Sequence, residues 1–232
     1  ANITPGLSAD FHQLFLPLTV PRTSVLENKN WLFRIDNTKQ FAIRYPLLHL
    51  HCPVIYNYNR YTNGDFSQTS HLQPQKDYLL IGCNSLDKHY NLSQLFIPTA
   101  EIRARVEKII NKYSKSNTIG IHIRRTDNVQ SIKLSPSEAF IKKIEEEIHR
   151  DNDVKFYLAS DDNKVKQELA DLYPNHIITQ TDSLERNSIQ GMYFAVTELF
   201  CLSRTHKIIG SDYSSYSNIA AELGDIPLEL AR

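Results

Sequence analysis

Three clusters of polar side chains carry residue types that bind anions. The first is the run His122-Ile123-Arg124-Arg125-Thr126-Asp127, the second is Ser160-Asp161-Asp162, and the third is Ser211-Asp212-Tyr213-Ser214-Ser215. A guanidinium group donates paired hydrogen bonds to phosphate oxygens, and hydroxyl groups at a helix N-terminus add further donors. Together these residues indicate a site for a small anion such as a diphosphate.

The sequence between the clusters predicts the elements that must position them. Short apolar runs predict strands over residues 118–123, 154–159, 176–179 and 206–210. Helices are predicted to begin at Ser135, as the N-cap of a capping box that Glu138 completes, and then over residues 162–173, 188–203 and 216–223. The second of these helices is expected to be capped by Asp161 or Ser160. Alternating strands and helices are typical of an α/β fold with a parallel sheet.

Ligands of such sheets bind outside the carboxyl ends of the strands. The three clusters follow the first, second and fourth predicted strands, so we expect them to share one crevice. Strand alternation places His122 and Arg124 on one side and Arg125 on the other. An arginine at the end of a buried strand needs a partner, which could be a diphosphate or a carboxylate such as Asp127.

Composition excludes some classes of function and favours others. The formal net charge is zero, whereas nucleic-acid binders usually have a basic excess. No apolar run is long enough to span a membrane, and no signal peptide or glycine-rich phosphate loop occurs. The cysteines, Cys52, Cys83 and Cys201, form no metal-binding pattern. We interpret them as buried thiols of a cytoplasmic protein, although a Golgi or ER luminal domain is an open alternative.

The two halves of the chain differ in pattern. Residues 1 to about 90 are irregular and rich in proline, and a helix is predicted to open at Pro98-Thr99 and to end near Ser114. We therefore predict a smaller N-terminal α/β domain over residues 1–114 and a nucleotide-binding domain over residues 115–232.

The first cluster resembles the HxRRxD-type motif of α1,6-fucosyltransferases and protein O-fucosyltransferases. Three later segments resemble the same family in the same order: Leu158-Ala-Ser-Asp-Asp162, the helical stretch from Arg186 to Ser203, and Gly210-Ser-Asp-Tyr-Ser-Ser-Tyr-Ser-Asn218 with the helix that follows it. The resemblance covers roughly residues 118–224. It implies a GT-B glycosyltransferase with Rossmann-like domains. Such an enzyme would transfer fucose from GDP-fucose to a glycan or protein hydroxyl, with inversion and with no metal or other cofactor.

The resemblance also implies roles for single residues. Arg124 would bind the β-phosphate of the donor, and His122 and Arg125 would lie at the nucleotide. Glu198 would accept hydrogen bonds from guanine, with a solvated helix face as the alternative. Asp161 and Asp162 would cap a helix and contact the base rather than hold a metal. Ser214 and Ser215 would bind a phosphate, while Ser211 and Tyr213 would shape the same pocket. For the serines, simple helix capping is the alternative.

Two departures from the family pattern affect the function. In the α1,6 branch an acidic residue about ten positions after the motif's histidine serves acceptor activation, and here Ile132 stands there. The base could be Asp127 or come from the first half, for example Asp10, Asp36 or Asp65. The sequence also shows no N-terminal strand with a Gly-Asn-Arg-like turn, so we expect this segment to be missing or diverged and the first domain to be incomplete. Three alternatives stay open: a silent GDP-binding protein, a transferase that uses another GDP-sugar such as GDP-mannose, and a receiver-like interaction domain.

Overall fold

The computed structural model describes residues 9–19, 43, 45–47, 54–57, 78–81, 91–113, 117–181 and 188–232. The chain divides into two compact units, one formed by residues 1–6 and 24–91 and the other by residues 7–23 and 92–232. In the first unit, strand β1 (Val54–Asn57) pairs in parallel with strand β2 (Tyr78–Ile81). Asp36, Asp65, Cys52, Cys83 and Arg186 lie outside the described residues.

The second unit alternates strands and helices. Its described strands are β3 (Thr118–Ile123), β4 (Lys155–Ser160), β5 (Ile177–Thr179), β6 (Ile208–Gly210) and β7 (Leu228–Leu230). Its described helices are α1 (Phe11–Leu14), α2 (Leu92–Leu95), α3 (Ala100–Ile110), α4 (Val129–Leu134), α5 (Ser137–Arg150), α6 (Asn163–Leu172), α7 (Ile189–Leu202) and α8 (Ser215–Gly224). The four predicted strands are present to within two residues, and the predicted α/β class is confirmed.

All five strands of this unit are parallel, in the order β5-β4-β3-β6-β7. The chain builds outwards from β3 on one side and then crosses over to build β6 and β7 on the other. The strand order therefore reverses between β3 and β6, and such a switch point opens a crevice at the carboxyl ends of the strands. The first and third polar clusters follow these two strands.

Helices cover both faces of the sheet, because alternate residues of each strand point to opposite faces. On one face, the apolar side chains of α5 and α6 cover Ile121 of β3 and Phe156 of β4. On the other face, side chains of α3, α7 and α8 pack over Tyr157 and Ala159 of β4. The continuous burial of β3 on both faces explains why its sequence is an apolar run rather than an alternating one.

The connection after β3 differs from the prediction. A short helix, α4, follows the first cluster, and the side chain of its N-cap Asn128 accepts a hydrogen bond from the N–H of Ser131. Helix α5 has Pro136 as its N-cap and no side-chain cap hydrogen bond, so the capping box predicted at Ser135 and Glu138 is wrong. Ser135 is fully buried, and its Oγ instead accepts a hydrogen bond from the N–H of Asp212, 2.9 Å away.

The segment before β3 belongs to the same compact unit as the sheet. Apolar residues of α3, including Ile102 and Val106, pack in one cluster with Met192 and Val196 of α7. The domain boundary at residue 114 stays a prediction, since most of residues 20–90 lie outside the described part of the chain. Among the described helices, none is both long enough and apolar enough to cross a membrane.

Candidate functional site

The carboxyl ends of β3, β4 and β6 bring the three polar clusters together. The N–H of Arg124 donates to Ser211 Oγ at 2.9 Å, which joins the first cluster to the third. The N–H of Arg125 donates to Asp161 Oδ1 at 2.7 Å, which joins the first cluster to the second. The three clusters therefore meet at one edge of the sheet, as expected for residues that line a shared crevice at the carboxyl ends of the strands.

Arg124 lies at the centre of this crevice between two carboxylates. Its Nη1 is 3.1 Å from Asp161 Oδ2, and its Nη2 donates to Asp127 Oδ1. The side chain of Arg124 is 19% exposed, against 12% for Asp161 and 57% for Asp127. Arg124 thus has the carboxylate partners considered from the sequence, and its contact with a diphosphate stays a prediction. The guanidinium is close enough to the surface to meet a ligand.

Asp161 is the fixed carboxylate of this pair. Besides Arg124, it accepts hydrogen bonds from the N–H of Arg125 at 2.7 Å, and from Oγ1 and the N–H of Thr126 at 2.6 and 3.3 Å. Burial alone would raise its pKa, but these hydrogen bonds and the charge of Arg124 outweigh burial and hold the pKa below its ordinary value. Asp161 is thus a permanent anion that holds the loop after β3.

Asp162 has the helix-capping role that the resemblance implied for the pair Asp161 and Asp162. Its Oδ1 accepts a hydrogen bond from the N–H of Lys164 at 2.8 Å, and it is the N-cap of α6. The prediction that Asp161 or Ser160 caps this helix is therefore wrong by one residue. In the part of the chain that the structure describes, no group of three or more histidine, cysteine, aspartate or glutamate side chains is arranged to hold a metal ion.

His122 lies behind the crevice, against α8. Its ring is 4% exposed, its Nδ1 is 2.7 Å from Ser217 Oγ, and its centroid is 4.7 Å from that of Tyr216. Burial lowers the pKa of His122 to about 3, so the ring is neutral near pH 7. A buried, neutral imidazole holds the first turn of α8 in place, and its predicted contact with a nucleotide stays a prediction.

Arg125 points to the opposite face of the sheet, as strand alternation predicted. Its guanidinium carbon lies 5.6 Å from the centroid of the Phe140 ring. Its Nη1 donates to the carbonyl of Arg124 at 2.9 Å and its Nη2 to Ser137 Oγ at 3.3 Å. Partial burial lowers the pKa of Arg125. These contacts connect the end of β3 to α5, and the nucleotide-binding role assigned to this residue stays a prediction.

The loop between β6 and α8 forms the other wall of the crevice. Tyr213 has a φ of 54°, which is unusual for a residue with a side chain, and it is 69% exposed. Its backbone is held by two side chains, since its N–H donates to Asp212 Oδ1 and its carbonyl accepts from Asn128 Nδ2, both at 2.9 Å. Ser214 is the N-cap of α8 without a side-chain cap hydrogen bond, and Ser215 is exposed. The alternative of simple helix capping is therefore met only in position, because Ser214 is the N-cap residue but its side chain makes no cap hydrogen bond.

Glu198 is buried, so the alternative of a solvated helix face is wrong. Its Oε1 is 2.7 Å from Nζ of Lys166, and the two side chains are 5% and 0% exposed. Lys166 also donates to the carbonyl of Gln180 at 3.0 Å and lies 4.7 Å from the centroid of the Phe194 ring. Recognition of guanine by Glu198 stays a prediction, and a base at this carboxylate would have to share it with Lys166.

The sequence contained a signal for two residues that the predictions missed. Ser217 and Lys166 both occupy the apolar stripe of a helix, three positions before Ala220 and Leu169, which are buried. A polar residue in such a stripe must find a buried partner, which is His122 for Ser217 and Glu198 for Lys166.

The candidates for the general base differ in where they lie relative to Arg124. Asp10 is exposed and precedes α1, where its N–H donates to Gln13 Oε1 at 2.8 Å. Ile132, which the motif resemblance aligns with an acidic residue of the α1,6-fucosyltransferases, is half-buried in α4. Asp127 is the one candidate among the described residues that contacts Arg124.

Comparisons with known proteins agree with this geometry at the level of the fold. No protein-family profile and no curated protein matches the sequence. A crystal structure of the NodZ α1,6-fucosyltransferase soaked with GDP-fucose matches with a TM-score of 0.55 and 16% identity, over 92% of this chain and 75% of that chain. This match shows that the chain has a fucosyltransferase-like fold, as the motifs predicted.

Two further fucosyltransferase structures match over a smaller part. The fucosyltransferase NodZ from Bradyrhizobium has a TM-score of 0.48 and 17% identity, with 66% of this chain and 53% of that chain covered. The apo form of POFUT1 has a TM-score of 0.47 and 14% identity, with 68% and 56% covered. In these two alignments the chain spans about half the length of the protein it matches.

Proposed function

We propose that the second unit binds a GDP-sugar, GDP-fucose by preference, and that the protein transfers the sugar to a hydroxyl group of a glycan or protein. The observation that carries the proposal is the position of Arg124. This partly exposed guanidinium follows the end of the central strand, next to the switch point, and the backbone N–H of Arg124 donates to Ser211 in the loop that leads to the start of α8. Both features attract a phosphate group.

The donor's diphosphate would lie between Arg124 and the first turn of α8. The N–H groups at the start of a helix have no acceptor within the helix, so they can donate to phosphate oxygens. The hydroxyl groups of Ser214 and Ser215 are close enough in sequence to add to this set, while Ser211 and Tyr213 shape its wall. Arg124 would then stabilise the charge that develops on GDP as it leaves.

The transfer itself needs a base on the acceptor side. The acceptor oxygen forms a bond to C1 of the sugar while the bond from C1 to the β-phosphate oxygen breaks, and the electron pair of that bond leaves with GDP. The acceptor's proton passes to a carboxylate, for which Asp127 is our candidate. This single displacement inverts the configuration at C1. It requires no metal, since the arginine and the helix terminus neutralise the leaving group.

A second function, binding of a GDP-sugar without transfer, is favoured by one specific observation. The position that is acidic in the α1,6 branch is the half-buried Ile132, so the base has to come from elsewhere. A silent binder would keep GDP affinity and show no transfer. The guanine reader would in either case be Glu198, which a base could reach only if the pairing with Lys166 opened, with Asp161 and Asp162 next to the base.

Calorimetric titration tests the donor site. We expect the wild type to bind GDP more tightly than ADP or UDP, and Arg124→Ala to weaken GDP binding by roughly 2–4 kcal/mol, as the loss of a charge-assisted bidentate contact should. Arg150→Ala is the matched control, because Arg150 is exposed at the end of α5, where it pairs with Glu147. Equal and weak binding of all three nucleotides would refute the donor site. Transfer of labelled fucose from GDP-fucose to a mixture of glycans then separates the enzyme from the silent binder.

A further inference from the structure

The two carboxylates at Arg124 are held very differently. Asp161 accepts three hydrogen bonds from the loop after β3 in addition to its pairing with Arg124. Asp127 lies in the bend between β3 and α4, and more than half of its side chain is exposed. If one of the two carboxylates has to leave the guanidinium, the departure of Asp161 would also deprive three hydrogen-bond donors of their acceptor. Asp127 can leave at lower cost, because water can solvate its carboxylate.

The charge of the cluster favours such a departure when an anionic ligand binds. One guanidinium and two carboxylates carry a net charge of minus one, which repels a diphosphate. The guanidinium keeps three of its five N–H donors, but each of its two Nη atoms contacts a carboxylate. A phosphate oxygen that approaches either Nη atom therefore meets a carboxylate, and it binds more favourably when that carboxylate gives up its place.

We propose that Asp127 occupies the position at Arg124 that a phosphate oxygen of the donor takes, and that donor binding displaces Asp127 from the guanidinium. The inference rests on the proposed function and adds an order of events to it. While Asp127 is paired with Arg124, its carboxylate is engaged. Once the diphosphate has taken its place, the carboxylate is released beside the reacting centre, where it can accept the acceptor's proton and later return it to water. The donor thus has to bind before the acceptor is activated.

Calorimetry with GDP on variants of the whole chain tests the displacement. Asp127→Asn removes the competing charge, and we expect the dissociation constant of GDP to fall about fivefold, which corresponds to the upper range for an exposed ion pair. Asp171→Asn is the matched control. It changes the net charge by the same amount at the far end of α6, and it should leave GDP affinity unchanged. An unchanged or larger dissociation constant for Asp127→Asn would overturn the inference.

A double-mutant cycle separates displacement from a general effect of charge. If Asp127 acts through Arg124, then Asp127→Asn should change GDP affinity by less than about twofold when Arg124 is already alanine. If the gain from Asp127→Asn persists in the Arg124→Ala background, the carboxylate only repels the ligand at a distance and the inference is wrong. Asp127→Glu keeps the charge on a longer side chain and should bind GDP no more tightly than the wild type.

The outcomes also distinguish this inference from the function beneath it. Wild-type protein that binds GDP, with Asp127→Asn no tighter, would overturn the displacement and leave the donor site intact. If neither the wild type nor Asp127→Asn binds GDP, the donor site fails and the displacement fails with it. Binding by Asp127→Asn alone would support both, because the carboxylate would then be what keeps GDP out.

Discussion

Two ion pairs of the second unit have similar chemistry and opposite surroundings. Lys166 and Glu198 are 0% and 5% exposed, and they join α6 to α7. Arg124 and Asp127 are 19% and 57% exposed, and they belong to a single loop. The first pair is sealed from water, so that neither partner can leave without stranding a charge. In the second pair, water or a ligand can replace one partner. The difference separates a pair that stabilises the fold from a pair that can exchange partners.

The sealed pair should show the largest effect on stability. Lys166→Met leaves Glu198 buried without its cation, and we expect the free energy of unfolding to fall by about 3–5 kcal/mol. Lys164→Ala is the control on the same helix, since Lys164 is exposed and pairs with Glu168 at 3.7 Å; it should cost less than about 1 kcal/mol. Denaturant titrations measure both. A cost below 1 kcal/mol for Lys166→Met would show that water reaches this pair, and the contrast would fail.

The open pair should affect transfer far more than stability. We expect Asp127→Asn to lower kcat for sugar transfer by about 100-fold or more, as loss of a general base does, while the free energy of unfolding changes by less than about 1 kcal/mol. Steady-state kinetics with GDP-fucose and denaturant titration measure the two quantities. An unchanged kcat would show that Asp127 is not the general base. The candidates in the first half of the chain would then be tested in the same way.

The stability of the protein at different pH values tests whether water reaches the buried ring of His122. Its pKa is about 3 in the folded protein against an ordinary 6.5, so the unfolded chain binds a proton between these values that the folded chain does not. Stability is therefore fully present above pH 6.5 and is lost as the pH falls towards 3.

Between pH 7 and pH 5 this residue should lower the free energy of unfolding by about 2 kcal/mol. His122→Asn keeps a polar group near Ser217 and should lose this part of the pH dependence. Denaturant titrations of both proteins at the two pH values give the comparison. Identical pH dependence would mean that the ring takes up a proton in the folded state.

The smallest effect concerns the hydrogen bond by which Ser135 supports the loop between β6 and α8. Ser135→Ala removes the acceptor for the N–H of Asp212 in a fully buried place, and we expect a loss of about 1–2 kcal/mol in unfolding free energy. Since Asp212 also holds the N–H of Tyr213, GDP binding should weaken about threefold as well. Calorimetry on the folded variant measures the second effect. Unchanged affinity would show that the loop keeps its shape without this contact.

The sequence predicted what depends on local pattern. The buried strands β3 and β4 are apolar runs, and β3 was placed residue for residue. The meeting of the three clusters followed from a general property of parallel sheets. By contrast, α4 has no clear apolar stripe, and the three-residue strand β7 is too short to give a period.

Partner choice within the site could not be predicted from pattern alone. Glu198 and Lys166 are separated by 32 positions, and Ser135 and Asp212 by 77. Which polar groups form a pair depends on how the helices pack on the sheet. Packing brings together residues that are far apart in the sequence, so a local pattern does not predict it. The buried polar residues of helix stripes were the available signal. They show that a partner must exist without showing which one it is.

The chain enters the second unit twice. It belongs to the unit near Phe15, leaves it, and returns near Pro98, where the two segments pair. The N–H of Leu16 donates to the carbonyl of Ile97, and the N–H of Thr99 donates to the carbonyl of Leu14. Residues 24–91 are thus an insertion between two parts of one unit. Closing a loop costs entropy only as the logarithm of its length. A change in the length of the inserted segment would therefore alter the entropy of closing it only slightly, while the sheet that carries Arg124 stays the same.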